Sequence, residues 1–91
     1  MMARAHIIIY GKVQGVFFRK YMKENADKLG LKGWVRNNPD GSVEAIVEGE
    51  IDKIKELVKW ALTGPPLAIV EKLCVEWMSY KGEFESFRII K

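Results

Sequence analysis

The chain has 91 residues, 48% hydrophobic, 30% charged and 11% aromatic, with a formal net charge of +3. That length allows a single domain with one modest core, about 60–65% of the unfolded surface being buried on folding. The composition excludes disorder, no apolar run approaches the roughly 20 residues of a membrane helix, and one cysteine excludes an internal disulfide framework. The charge favours anionic partners but is too small to indicate nucleic acid by itself. Met1-Met2-Ala3-Arg4 leads straight into a strand-like run with no signal-peptide pattern, which with the lone thiol points to the cytoplasm. Lys is plentiful alongside Glu, which is compatible with a thermophilic source.

His6-Ile7-Ile8-Ile9-Tyr10 is apolar and β-branched, which predicts a central strand buried on both faces. Gly11 to Phe18 reads as a loop. From Phe18 the apolar spacing turns helical: Phe18, Met22, Ala26 and Leu29 share one stripe, and Gly30 stops the helix. Gly33 to Asn37 is a second strand and Asn38-Pro39-Asp40-Gly41 a turn. Val43, Ala45 and Val47 then alternate with Glu44 and Glu48, predicting a half-buried strand with its acids toward water. These two strands form a hairpin, ended by Gly49. Asp52 lies in the first turn of a second helix, whose core stripe is Ile54, Leu57, Val58, Ala61 and Leu62. Thr63-Gly64-Pro65-Pro66 breaks it. Leu73, Val75 and Trp77 alternate in a fourth strand, and Phe84 to Ile90 gives a last one with Phe87 and Ile89 on one face. The order β-α-β-β-α-β plus a short C-terminal strand, with right-handed crossovers, is the α+β ferredoxin-like sandwich, two helices on one face of a mostly antiparallel sheet. That fold hosts enzymes, RNA binders, metal binders and ligand sensors, so it does not decide the function.

The chemistry concentrates in Lys12 to Lys20, KVQGVFFRK, between a strand and the start of a helix. A helix N-terminus carries unpaired N–H groups and partial positive charge, and a glycine lets backbone approach an anion closely. Arg19 stands in the first turn, where a cation opposes the helix dipole. A guanidinium over an amide nest would grip a phosphate in fork geometry. The residues alone leave a second reading open, an ordinary surface loop with an ordinary arginine. Asn37 is similarly open: an asparagine before a turn commonly caps its own backbone.

Gly11-Lys12-Val13-Gln14-Gly15-Val16-Phe17-Phe18-Arg19 resembles the first signature of the acylphosphatase family, G-x-V-Q-G-V-x-F-R. Gly33-Trp34-Val35-Arg36-Asn37 followed by Gly41, Val43 and Gly49 resembles the second, with no departure at a fixed position of either. The likeness covers nearly the whole chain, and implies one acylphosphatase-like domain over residues 1–91. It further implies hydrolysis of the carboxyl-phosphate bond of small acyl phosphates, without metal or organic cofactor. By the match, Gln14, Gly15, Val16, Phe17 and Phe18 supply a phosphate-binding amide cradle. Arg19 is the phosphate-binding catalytic arginine, and Asn37 positions the attacking water. Inorganic phosphate would be product and inhibitor; neither nucleic acid nor a membrane is an expected partner, and the protein would be a monomer or weak dimer.

A site without serine, cysteine or histidine suits such a substrate. The leaving carboxylate has an ordinary pKa near 4 and departs without a general acid. The phosphoryl transition state is loose, so positioning and electrostatics supply most of the catalysis. His6 lies mid-strand with no carboxylate beside it in the sequence and reads as structural, and Cys74 reads as a buried inert thiol. No His/Cys cluster has metal-ligand spacing. Lys12 and Lys20 either add positive potential or are simply solvated. Three rivals share the fold. Lys32-Gly33-Trp34-Val35 superficially resembles the start of an RNA-recognition motif, but Arg36 and Asn37 stand where its aromatics belong. A non-catalytic acylphosphatase-like domain, of the kind fused in hydrogenase-maturation proteins, would not need both Arg19 and Asn37. A ligand-sensing domain would need a partner domain.

Overall fold

The computed structural model describes residues 1–91. Strands β1 (Met2–Lys12), β2 (Lys32–Asn37), β3 (Val43–Glu50), β4 (Ile69–Met78) and β5 (Phe87–Ile89) form one sheet in the order β4-β1-β3-β2-β5. Only β2 and β5 pair in parallel. Helices α1 (Phe18–Lys28) and α2 (Ile51–Thr63) pack on one face, α1 against β2 and β5, α2 against β4, β1 and β3. The expected ferredoxin-like α+β sandwich is the observed fold.

The core lies between helices and sheet. Ala3, Ala5, Ile7 and Ile9 of β1 point inward with Val35, Val43, Ala45, Val47 and Phe87, and meet Phe18, Met22 and Ala26 of α1 and Ile54, Leu57 and Ala61 of α2. Phe18 also contacts Trp60, ring centroids 5.3 Å apart, which joins the helices near the start of α1. The end of α1 is closed by glycine chemistry: Gly30 has φ +70, and the Leu31 amide reaches back to the Ala26 carbonyl.

The opposite face of the sheet departs from expectation. β1 is not buried on both faces, because its outward residues alternate into an ionic layer: His6 and Ile8 are half-buried and Arg4 is buried against carboxylates. Glu48 does not face water. It is 3% exposed, and its carboxylate accepts the amides of Lys81, Gly82 and Glu83 at 2.7, 3.2 and 3.2 Å and Arg4 Nη1 at 3.2 Å. Burial opposes its charge, but these donors outweigh burial and hold the carboxyl below its ordinary value. Glu44, half-buried, contacts His6 Nε2 and Arg36, and both hold its carboxyl low, His6 the more. His6 therefore does have a carboxylate beside it, brought by β3 from 38 residues away. Alternation correctly assigns these acids to the outward face. What it omits is the β4–β5 connection that folds over that face. Cys74 is exposed rather than buried, since β4 is an edge strand and Cys74 pairs with Ile8 on the uncovered face.

Candidate active site

The loop after β1 begins at an irregularity. The β1–β4 register shifts between Tyr10 and Gly11, and a Cβ at Gly11 would stand 2.2 Å from the Ile69 carbonyl oxygen. The chain then turns through Gly15 at φ +74 and Phe17 at φ +65, ψ 25, the one non-glycine residue in the left-handed region. A Cβ at Gly15 would meet nothing within 4 Å, so this glycine supplies conformation rather than space. Phe17 is the N-cap of α1 and provides no side-chain cap, and the first turn holds no acid. The amides of Gly15, Val16, Phe17, Phe18 and Arg19 consequently donate to no group of the chain.

Val16 is buried in the core, where it anchors the loop from below. Gln14 anchors it from the side. Its Nε2 donates to the carbonyls of Asn38 and Ser42 at 2.7 and 2.9 Å, tying the loop to the β2–β3 turn. That turn closes on itself without Asn37. The Asn38 amide donates to the Ser42 carbonyl at 2.9 Å, Asn38 Nδ2 to Ser42 Oγ at 3.0 Å, and the Ser42 amide to Asp40 Oδ1 at 2.9 Å. The capping reading of Asn37 is therefore not the one adopted. Strand alternation puts Asn37 with Val35 on the helix-facing side, at the end of β2, and its Oδ1 is shielded from solvent without a hydrogen-bond donor. Such a carboxamide oxygen is uncommon, since buried polar atoms are nearly always paired.

Loop, α1 and β2 meet at a cavity of about 300 Å³ lined by Val13, Gly15, Phe17, Phe18, Arg19, Lys20, Asn37 and Ile89. Arg19 is half-buried and forms no ion pair or hydrogen bond, in contrast to Arg4 and Arg36, which both bind glutamates. Lys20 lines the same cavity, its Nζ 5.9 Å from the Tyr21 ring centroid, and Lys12 does not. Of the residues singled out in the sequence, Gly15, Phe17, Phe18, Arg19 and Asn37 come together here. Gln14 and Val16 are not in the lining; Gln14 turns toward the hairpin and Val16 toward the core. Sequence reasoning passed over Val13 and Ile89, whose apolar character reads as core. Their place in the lining depends on which strand lies beside which helix.

A family model described as Acylphosphatase matches residues 5–89. An acylphosphatase of Pyrobaculum arsenaticum, a thermophile, is 57% identical over 90 residues, covering 98% of this chain and 95% of the relative. Among solved structures, an acylphosphatase from Bacillus subtilis superposes with a TM-score of 0.94 at 34% identity over all of both chains. Another from Coxiella burnetii gives 0.93 at 38% identity, covering 98% of this chain and 93% of that one. Sequence, fold and length thus agree on one assignment: the chain belongs to the acylphosphatase family of hydrolases, whose members hydrolyse acyl phosphates.

Proposed function

We propose that residues 1–91 form a single acylphosphatase domain in which the amides of the Gly15–Arg19 turn and the Arg19 guanidinium hold the phosphoryl group while Asn37 positions the attacking water. The observation that carries this reading is the meeting at one cavity of residues with unpaired amides, an arginine without a counter-ion and an asparagine whose carboxamide has no partner in the chain. Each is unsatisfied in the protein, and each would be satisfied by part of a bound acyl phosphate and its water. The amides and guanidinium match the equatorial oxygens, where charge spreads in a loose transition state. The Asn37 carboxamide, at the cavity wall, binds the water and aims its lone pair at phosphorus. The water oxygen–phosphorus bond forms as the phosphorus–acyl oxygen bond breaks. The carboxylate leaves with the bonding electrons, and the water proton passes to a phosphate oxygen. The lone, exposed Cys74 thiol fits a reducing cytoplasmic setting.

The test is hydrolysis of an aromatic acyl phosphate by chelator-treated protein, followed by ultraviolet absorbance, with Arg19→Ala and Asn37→Ala in parallel. Arg19→Ala loses about 10²–10³-fold or more in kcat, the usual effect of removing one charge-stabilising donor, Asn37→Ala loses about 10²-fold through a misplaced water, and inorganic phosphate competes with substrate. Normal turnover by Arg19→Ala overturns the reading. A folded wild type without turnover would leave a cradle that binds but does not react.

A further inference from the structure

The cavity lining is of two chemical kinds. Gly15, Arg19, Lys20 and Asn37 are polar or offer backbone, and Val13, Phe17, Phe18 and Ile89 are apolar. The apolar residues are themselves of two kinds. Val13 and Phe18 are 1% and 2% exposed and belong to the core, so they close the floor. Phe17 and Ile89 are 63% and 42% exposed and stand at the rim, on elements that meet only through the fold. Phe17 is held at the start of α1 in a backbone conformation that bulky residues seldom adopt. Ile89 lies near the chain end, fixed by β5 pairing in parallel with β2: it sits opposite Val35, and the Ile90 amide bonds to the Val35 carbonyl. This register brings Ile89 to the end of the sheet where Asn37 emerges.

If phosphate occupies the amide and guanidinium side, as proposed above, the acyl group leaves the cavity past the rim. We infer that Phe17 and Ile89 form an acyl-group subsite, and that the preferred substrates are phosphates of apolar acyl groups, aromatic or branched, rather than of acetate-sized or charged ones. A ring or branched chain between these two side chains would cover apolar surface that the free protein leaves in water. A methyl group on the carbonyl carbon has far less apolar surface to place against them. The subsite also gives the unusual Phe17 a purpose beyond its backbone. Asparagine or glycine suits a left-handed residue better, and neither would offer a ring at the rim.

The experiment compares benzoyl phosphate with acetyl phosphate in wild type, Ile89→Ser and Phe17→Asn, the last chosen because asparagine tolerates the left-handed backbone. The benzoyl-to-acetyl ratio of kcat/KM falls about tenfold in each variant, carried by a rise in KM for the aromatic substrate, in line with the selectivity that apolar pocket contacts supply. The competitive inhibition constant of inorganic phosphate, which reads the cradle without an acyl group, separates the two readings. If Ile89→Ser moves that constant as much as it moves KM, Ile89 belongs to the cradle and the subsite is wrong. If the ratio stays at its wild-type value in both variants, the subsite is wrong while the cradle stands. If Arg19→Ala keeps wild-type turnover, the cradle itself fails and the subsite with it.

Discussion

Gln14 makes two hydrogen bonds that cross 24 and 28 residues of sequence, and nothing else ties the cradle loop to the β2–β3 turn through a side chain. Replacing it with alanine removes both. The acceptors are not stranded: the Ser42 carbonyl keeps the Asn38 amide, and the Asn38 carbonyl keeps the Gly41 amide at 3.1 Å. The loss is therefore of two net hydrogen bonds without a full desolvation penalty, about 0.5–1 kcal/mol each, or roughly 1–2 kcal/mol in total. For a domain of this size, each kcal/mol corresponds to about 4–8 °C, so Tm falls by roughly 4–16 °C. The effect on activity follows from position. In the proposed site the turn amides and Asn37 stand on different elements, and the two bonds of Gln14 link those elements. Misplacement by about 1 Å costs up to 10²-fold, so kcat for an aromatic acyl phosphate falls about ten- to a hundredfold while the inhibition constant of inorganic phosphate changes less. Thermal unfolding and steady-state kinetics of Gln14→Ala and Gln14→Glu read both. The glutamate variant, which cannot donate to two carbonyls, does no better than alanine. Wild-type kcat in Gln14→Ala, or rescue by Gln14→Glu, would refute the positioning argument.

Acid should loosen the connection that Glu48 holds. Its carboxyl sits below the ordinary value of 4.5, so its contribution is complete above that value and is lost as pH falls through the lower folded value. Denaturant titrations should show stability dropping below about pH 4.5, less steeply in Glu48→Gln; identical pH slopes would contradict it. Gly33→Ala should fail to fold or lose more than about 3 kcal/mol, because its Cβ would lie 1.9 Å from the Ile46 carbonyl oxygen at φ +143; a circular-dichroism melt within a few degrees of wild type would disprove the clash. Gly15→Ala has open space but an unfavourable φ, so it should cost only about 1 kcal/mol by chemical denaturation, and a loss as large as that of Gly33→Ala would mean the loop is tighter than its geometry. Cys74 should react with a thiol reagent in the folded protein, one equivalent, without loss of activity; reaction only in denaturant would contradict its exposure.

The elements and the hairpin were readable because their causes are local. Gly30 closes α1 by its own backbone freedom, and Val43, Ala45 and Val47 mark an inward face by alternation alone. The outward face was misread because its causes are distant. Glu44 and Glu48 look solvated along β3, yet His6 reaches one from β1 and the amides of residues 81–83 wrap the other. Cys74 failed for the opposite reason, since alternation cannot say that β4 has no neighbour on one side.

The site divides along the same line. Arg19 stands out against its local role, a cation at the wrong end of a helix dipole, whereas Asn37 reads locally as an ordinary cap and is singled out, like Gly15, by its place in the signature. The signature assigns Gln14 to the cradle, but its grip on the β2–β3 turn does not stand out, and neither does Ile89 at the rim, because one donates to backbone carbonyls and the other continues a strand as their residue types ordinarily do. Their importance comes from where the sheet order puts them. Placing β2 between β3 and β5 sets the turn that Gln14 grips on one side of Asn37 and the strand that carries Ile89 on the other. The proposed site relies on amides, one guanidinium and one carboxamide, with no nucleophile or general base among them. Its rate must come from holding weak groups at fixed distances, which makes a hydrogen bond such as that of Gln14 as consequential as the groups that touch the substrate.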